Sequence, residues 1–280
     1  MTAYVTMDAE SFFETECMHS AEFDKNRACT EGLDAFLDFL DGKNIKSTLF
    51  VTEQMLDLCA ERLKRAAENG HEIAVHSLKH KPINTYEEYS LVLSSMKEKI
   101  LKITGIEPVG YRAPCFSITD EGLRALKDSG FLYDSSVLEV NNTYGSNRVS
   151  LASFRKINDS VCEKDGFFEV KPAIAKTAKI PVSGGAYLRL FPWWLMRRVL
   201  KRHIRNADSF LLYVHPFELT DKNLTKGYRL NITDWLFVNR GRKKYFEKFA
   251  ETIDFLEKTG YNFYTVKDYI KKTGESENDG

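Results

Sequence analysis

Apolar residues recur at two periods along the first half of the chain. Tyr4-Val5-Thr6-Met7 reads as a strand, whereas Leu33, Phe36, Leu37 and Leu40 recur at helical spacing and stop at Asp41-Gly42. Ser47 to Val51 is a second strand, and Thr52 stands where a helix cap belongs, ahead of Met55, Leu56, Leu58 and Leu63 and the stop Asn69-Gly70. His71 to His76 is a third strand. Thr85 then opens a helix with Glu87 and Glu88 in its first turn, Lys97, Lys99 and Lys102 towards its end, and Gly105 as terminator, an order that complements the helix dipole. Val109 to Arg112 is a short strand ending at Pro114. Thr119 caps a helix that stops at Gly130, and Phe131-Leu132-Tyr133 enters a fifth strand. Alternating strands and helices predict parallel strands with crossover helices, as a barrel or a doubly wound sheet.

From Asn141 to Gly185 the pattern weakens into Asn-, Ser- and Gly-containing turns between short apolar pieces, which predicts an irregular insertion with β elements. Beyond it come a helix from Pro192 to Arg205, a strand from Phe210 to Val214, a basic helix from Arg242 to Leu256 and a strand from Phe263 to Val266. With no linker in sight, residues 1–273 read as a single domain. Residues 274–280 read as a polar, disordered tail.

Composition narrows the classes. The 280 residues carry 40 basic and 40 acidic side chains, and the longest basic neighbourhoods, Arg197-Arg198 and Arg240 to Lys244, are short. That leaves no footprint for nucleic acid or an anionic membrane. No stretch has the length of a membrane span, and Asp8 and Glu10 interrupt any leader-like start, so the chain reads as cytoplasmic. Cys17, Cys29, Cys59, Cys115 and Cys162 are odd in number and lack a CxxC pair, which suits reduced thiols. Oligomeric state leaves no mark.

Polar residues gather where the strands end: Asp8 and Glu10 after the first, His76 at the third, Arg112 at the fourth, Asp134 at the fifth, His215 after Phe210 to Val214. In a parallel sheet those ends share one rim. Asp8 and Glu10, two apart on a strand, point the same way, and like charges so placed call for a cation between them. His76-Ser77-Leu78-Lys79-His80 puts two imidazoles at i and i+4, the spacing that brings both to one side of a helical turn and suits two ligands of one cation. Ser135-Ser136 has no G-x-S-x-G elbow around it, and Cys115 is a bystander thiol more readily than a nucleophile.

The order VTMDAE, HSLKH, YRAPCF, YDSS and LLYVH resembles the motif order of the NodB-type polysaccharide deacetylases, metal-dependent carbohydrate esterases. The resemblance implies a distorted (β/α)7 barrel of the α/β class carrying the β-containing insertion, and hydrolysis of an acetylated sugar or glycan. Asp8 would be the general base, His215 the general acid, and Arg112 the residue that orients the base, with Asp134 on the rim for substrate or network. Glu10, His76 and His80 would hold a divalent metal, Zn²⁺ first, with Co²⁺, Ni²⁺ or Mn²⁺ also compatible. A backbone N–H near Pro114 and Cys115 would face the oxyanion. Cys115, Phe116, Tyr187 and Trp193 would line the sugar site. Much of the family has a D-D pair where this chain has Ala9. Glu10 fits the D-x-[DE] form of some branches, and a metal-free amide hydrolase of the same superfamily stands as the alternative, with a retired sugar-binding protein as a third reading. SGGAYLRLFPWWL, YVHPFEL and the C-terminal helix resemble the branch associated with bacterial exopolysaccharide, capsule or lipopolysaccharide synthesis.

Overall fold

The computed structural model describes residues 1–11, 30–79, 81–138, 149–175, 180–226 and 229–278. In chain order β1 (Thr2–Ala9), α1 (Thr30–Gly42), β2 (Thr48–Thr52), α2 (Glu53–Glu68), β3 (Glu72–Ser77), α3 (Tyr86–Thr104), β4 (Gly110–Tyr111), α4 (Asp120–Asp128) and β5 (Tyr133–Asp134) alternate as the periodicity predicts. The caps are the expected ones. Thr52, Thr85 and Thr119 accept from the backbone N–H groups of Met55, Glu88 and Gly122, and Gly105 closes α3 in the left-handed region at φ 73°.

The insertion contributes β6 (Arg155–Lys156), β7 (Val161–Lys164), β8 (Phe167–Val170), β9 (Ile174–Ala175) and β10 (Ile180–Pro181). Then follow α5 (Gly185–Leu190), α6 (Trp193–Asn206), β11 (Ser209–Val214), α7 (Ile232–Asn239), α8 (Tyr245–Lys258), β12 (Asn262–Phe263) and α9 (Val266–Asn278). The sheet runs β11-β1-β2-β3-β4-β5-β8 through parallel pairs, then turns antiparallel through β7 and β6, while β12 adds to β1. Those seven parallel neighbours form a curled half-barrel within a mixed α/β sheet. The chain that leaves β8 reaches the outer edge of β11 at Gly184, which bridges to Tyr213. A Cβ on Gly184 would stand 1.7 Å from the Tyr213 carbonyl oxygen, so only glycine lets the backbones approach this closely.

Strand side chains alternate between two cores. Val5, Met7, Leu49, Val51, Val75, Leu212 and Val214 pack under the helices. Tyr4, Phe50, Ala74, Tyr133, Leu211 and Tyr213 fill the inside of the curl. Asp8 continues the inner row begun by Tyr4 and Thr6, so β1 delivers its carboxylate to the C-terminal mouth of the curl.

Three stretches differ from the sequence reading. Val266 begins a helix instead of ending a strand, because Thr265 accepts from the Asp268 N–H and turns the chain just after β12. That helix, anchored by buried Val266 and Ile270, runs to Asn278, through most of the stretch expected to be a disordered tail. The basic helix begins at Tyr245, after a 3-10 turn over Arg242–Lys244.

Candidate active site at the strand ends

Asp8 and Arg112 form the buried centre of the mouth. The guanidinium, wholly buried, donates from Nη1 to Asp8 Oδ1 at 2.6 Å and to Thr6 Oγ1 at 3.1 Å, from Nε to the Ser135 carbonyl at 3.0 Å and from Nη2 to Ser135 Oγ at 2.8 Å. It lies 4.0 Å over the Phe50 ring. Four fixed bonds and a stacked face leave Arg112 one orientation, and one Asp8 oxygen is committed to it. The other, Oδ2, is 3.9 Å from His215 Nε2.

His215 stands just past β11, its side chain 19% exposed. Its Nδ1 donates to Glu218 Oε2 at 3.0 Å, and the same oxygen accepts the His215 backbone N–H at 3.1 Å. Glu218 Oε1 in turn accepts from Arg189 Nε at 3.1 Å, in a pair whose two side chains are 1% exposed. The chain can make this turn because Pro216 opens the 3-10 segment Pro216–Leu219 and Glu218 closes a capping box on it. Burial alone would lower the imidazole's pKa. The Glu218 hydrogen bond and the charges of Glu218, Glu10 and Asp8 outweigh it and raise the pKa to about 9. Burial would likewise raise Glu218, but bonding to His215 and the neighbouring Arg189 charge hold it below the usual glutamate range. Sequence reading missed Glu218. Its signal was a Glu three residues after a strand-end polar residue followed by Pro, the arrangement of a helix-start box.

Glu10 follows the end of β1, where its N–H bonds back to the Asp8 carbonyl at 2.9 Å. Its carboxylate approaches both imidazoles, Oε2 at 3.6 Å from His76 Nε2 and Oε1 at 3.8 Å from His215 Nε2. His76 Nδ1 lies 2.8 Å from the Arg112 carbonyl. A carbonyl only accepts, so the proton sits on Nδ1, and in the neutral ring Nε2 carries the lone pair that faces Glu10.

The helical turn expected of HSLKH is absent from its described part. His76 and Ser77 belong to β3, Ser77 pairs with Thr52 across a register shift, and its φ of 113° is incompatible with a helix. His80 lies outside the described residues. Among those described, no three His, Cys, Asp or Glu side chains form a metal-holding group.

Asp134 is placed behind the mouth. It accepts from Ser136 Oγ at 2.6 Å and from the Ser136 N–H at 3.1 Å, and Ser136 Oγ accepts the Ala113 N–H at 2.7 Å. The carboxylate thus fixes the strand end that carries Arg112. Burial raises its pKa to about 6, against the bonds it receives. Burial and the Asp134 charge push Glu169, on the paired position of β8, well up. Cys115 and Phe116 turn the rim with φ of 53° and 54°, which places left-handed non-glycine backbone beside the site. The Ala113 N–H is committed to Ser136, Phe116 and Ser117 donate to the Ala113 and Pro114 carbonyls, and proline has no N–H.

Phe116 packs edge-on to Tyr213 with ring centroids 5.3 Å apart, joining the mouth to β11. Tyr187 stacks on Phe191, 6.1 Å apart. Trp193 is drawn instead to α8, where its Nε1 donates to Glu251 at 3.0 Å. The cluster that the structure assembles is thus Asp8, Glu10, His76, Arg112 and His215, with Glu218 and Asp134 behind it.

A curled parallel sheet with carboxylates and imidazoles gathered at its C-terminal mouth places the chain in the α/β class. Comparison with known proteins carries this further. Residues 17–133 match the family model "Polysaccharide deacetylase", and residues 135–270 match one described as "Domain of unknown function (DUF3473)". The chain is 28% identical over 166 residues to the peptidoglycan deacetylase of Helicobacter pylori, a match that covers 58% of this chain and 55% of that protein. Among solved structures, a Mycobacterium smegmatis protein assigned to the polysaccharide deacetylases superposes with a TM-score of 0.65 at 16% identity, over 99% of this chain and 91% of that one. A family 4 acetyl xylan esterase from Clostridium thermocellum, solved with a cobalt ion, gives 0.53 at 15% identity, over 98% and 92%. Family model, relative and fold together support the polysaccharide deacetylase family. The chain spans about half the length of the first curated relative it matches.

Proposed function

We propose that the protein is a metal-dependent deacetylase that hydrolyses the N-acetyl group of a sugar in a bacterial surface polysaccharide or glycan precursor, and that it acts in the cytoplasm. The observation that carries this reading is the placing of two opposed proton-handling groups at one mouth. Asp8 is pinned by Arg112 on one side and faces His215 Nε2 on the other, and that imidazole is itself pinned through Nδ1 by Glu218.

The donor set fits a divalent cation of borderline softness, because an imidazole nitrogen carrying a lone pair and a carboxylate oxygen face each other at 3.6 Å. Glu10, His76 and His80 would hold it, and the bound cation would make water acidic and polarise the acetyl carbonyl. The chain's own groups do the rest. Asp8 takes the proton of the attacking water through Oδ2, since Arg112 occupies Oδ1. Arg112 keeps that carboxylate aimed. His215 Nε2 delivers a proton to the departing amine, its ring held in one orientation by Glu218, as the orienting acid does in a catalytic triad. Cys115, Phe116 and Tyr187 line the approach for the sugar.

The test is acetate release from N-acetylated saccharides. Asp8→Asn and His215→Gln are each expected to lower kcat by about 10²–10⁴-fold, with bound metal retained. Undiminished release by either variant would overturn the assignment.

A further inference from the structure

Exposed apolar side chains are unevenly distributed. Of the ten large hydrophobic residues exposed among the described residues, six lie between positions 191 and 236: Phe191, Trp194, Leu195, Ile232, Trp235 and Leu236. On α7 the last three fall at i, i+3 and i+4, so that helix presents an apolar stripe outward. Two of the protein's three tryptophans, Trp194 and Trp235, are among these exposed residues.

The surroundings are mainly basic, with Glu251, which pairs with Arg197 and Lys201, and Asp221 the acidic members of the two linings. α6 carries Arg197, Arg198, Lys201, Arg202 and Arg205 and no acidic residue. Its buried line is Met196, Leu200 and Ile204, which leaves Arg198, Arg202 and Arg205 on the outer side with Trp194. Together with Trp193 they line a groove of about 990 Å³. A second groove, of about 670 Å³, is lined by Trp235 with Lys222, Lys243, Lys244 and Lys248. Lys248 lies between the two, buried with its Nζ donating to the Leu188 carbonyl and 5.7 Å from the Trp193 ring, so the exposed cations of the second groove are Lys222, Lys243 and Lys244. The second groove opens at Thr220, directly after the 3-10 segment that holds Glu218. A net charge of zero over the whole chain conceals this local concentration.

Exposed tryptophan and aliphatic side chains rimmed by arginine and lysine match the chemistry of an anionic bilayer surface. The rings and aliphatics enter the boundary between headgroups and acyl chains while the cations meet phosphate. A second copy of the same face would bring like charges together, and a polar glycan would give Ile232, Leu195 and Leu236 no apolar partner. We propose that α6, α7 and the Arg242–Lys244 turn dock the protein on a membrane surface bearing anionic phospholipid, with Trp194, Ile232, Trp235 and Leu236 at the headgroup boundary.

The test uses the whole protein with vesicles of phosphatidylcholine, with and without phosphatidylglycerol, and needs no enzymatic activity, so it stands or falls apart from the deacetylase reading. The protein is expected to sediment with the anionic vesicles only, to release as salt rises, and to shift its tryptophan emission to the blue on binding. The exposed double variant Arg198→Glu/Arg202→Glu should weaken binding at least about tenfold. Ile232→Ser/Leu236→Ser should weaken it with an unchanged circular dichroism spectrum. Failure to bind anionic vesicles, equal binding to phosphatidylcholine alone, full binding by the charge-reversed variant, or capture by a soluble anionic polysaccharide in place of vesicles would each overturn the proposal.

Discussion

Replacing Arg112 with Met would take the ion-pair partner from the buried Asp8 carboxylate, while Thr6 Oγ1 and the Ser135 carbonyl and hydroxyl would lose their donor. Breaking one side of a buried pair costs about 3–5 kcal/mol. A lowered urea midpoint together with lost activity is expected of Arg112→Met. Glu218→Gln separates position from proton chemistry. It keeps the shape but removes the charge that holds the His215 ring, so kcat should fall while KM and metal content stay near the wild-type values in a steady-state comparison. At this scale much of the site was legible, because Asp8, His76, Arg112 and His215 each end a strand and strand ends share a rim. Glu218 was not legible, since its function depends on a 3-10 turn that positions it under the residue three places earlier. Asp134 was legible as a strand-end acid and its bond to Ser136 is local, but Glu169 is brought beside it by the β5–β8 pairing, which one strand does not reveal.

At the scale of elements, α1 and the His215 segment meet at Gly32. A Cβ there would lie 1.8 Å from the Pro216 carbonyl oxygen, which is backbone and has little room to retreat. Gly32→Ala is expected to push the segment carrying His215 and Glu218 outward, costing about 1–3 kcal/mol as overpacking does and lowering activity more than stability; thermal melting beside acetate release reads both. The β5–β8 pair gives a pH prediction. Asp134 and Glu169 sit on paired positions of these strands, and burial raises both, Asp134 to about 6. Unfolded carboxyls titrate near ~4, so between there and about 6 the folded state holds more protons than the unfolded one, and their contribution to stability declines as pH rises. Urea midpoints measured across that window should fall with pH in the wild type and flatten in Glu169→Gln. The periodic elements β1 to β5 were readable because each has a buried pattern and a cap of its own. α5 and α7 were not, because one is a single short turn after Gly184 and the other points its apolar stripe outward.

Across the whole molecule, β11 and β12 from the C-terminal half pair with β1 from the N-terminal half, on the opposite side of β1 from β2 in the case of β11. β2 to β4 from the first matched region and β8 and β11 from the second lie in that same sheet, and Asp8 and His215, 207 positions apart, meet because β1 and β11 are in register from Thr2↔Ser209 to Met7↔Val214. One cooperative calorimetric transition is expected for residues 1–273; two separable transitions would divide the chain where the family regions meet. That register is a long-range fact that no local periodicity encodes, and it makes the resemblance in motif order the stronger guide to the assembled site. The most direct measurement is acetate release from N-acetylated saccharides by the purified protein, with bound metal quantified, before and after chelation. Release that stops on chelation and returns with Zn²⁺ or Co²⁺, and that Asp8→Asn fails to support while still binding metal, is the predicted result. Release unchanged by chelation in a protein without stoichiometric metal would contradict the account.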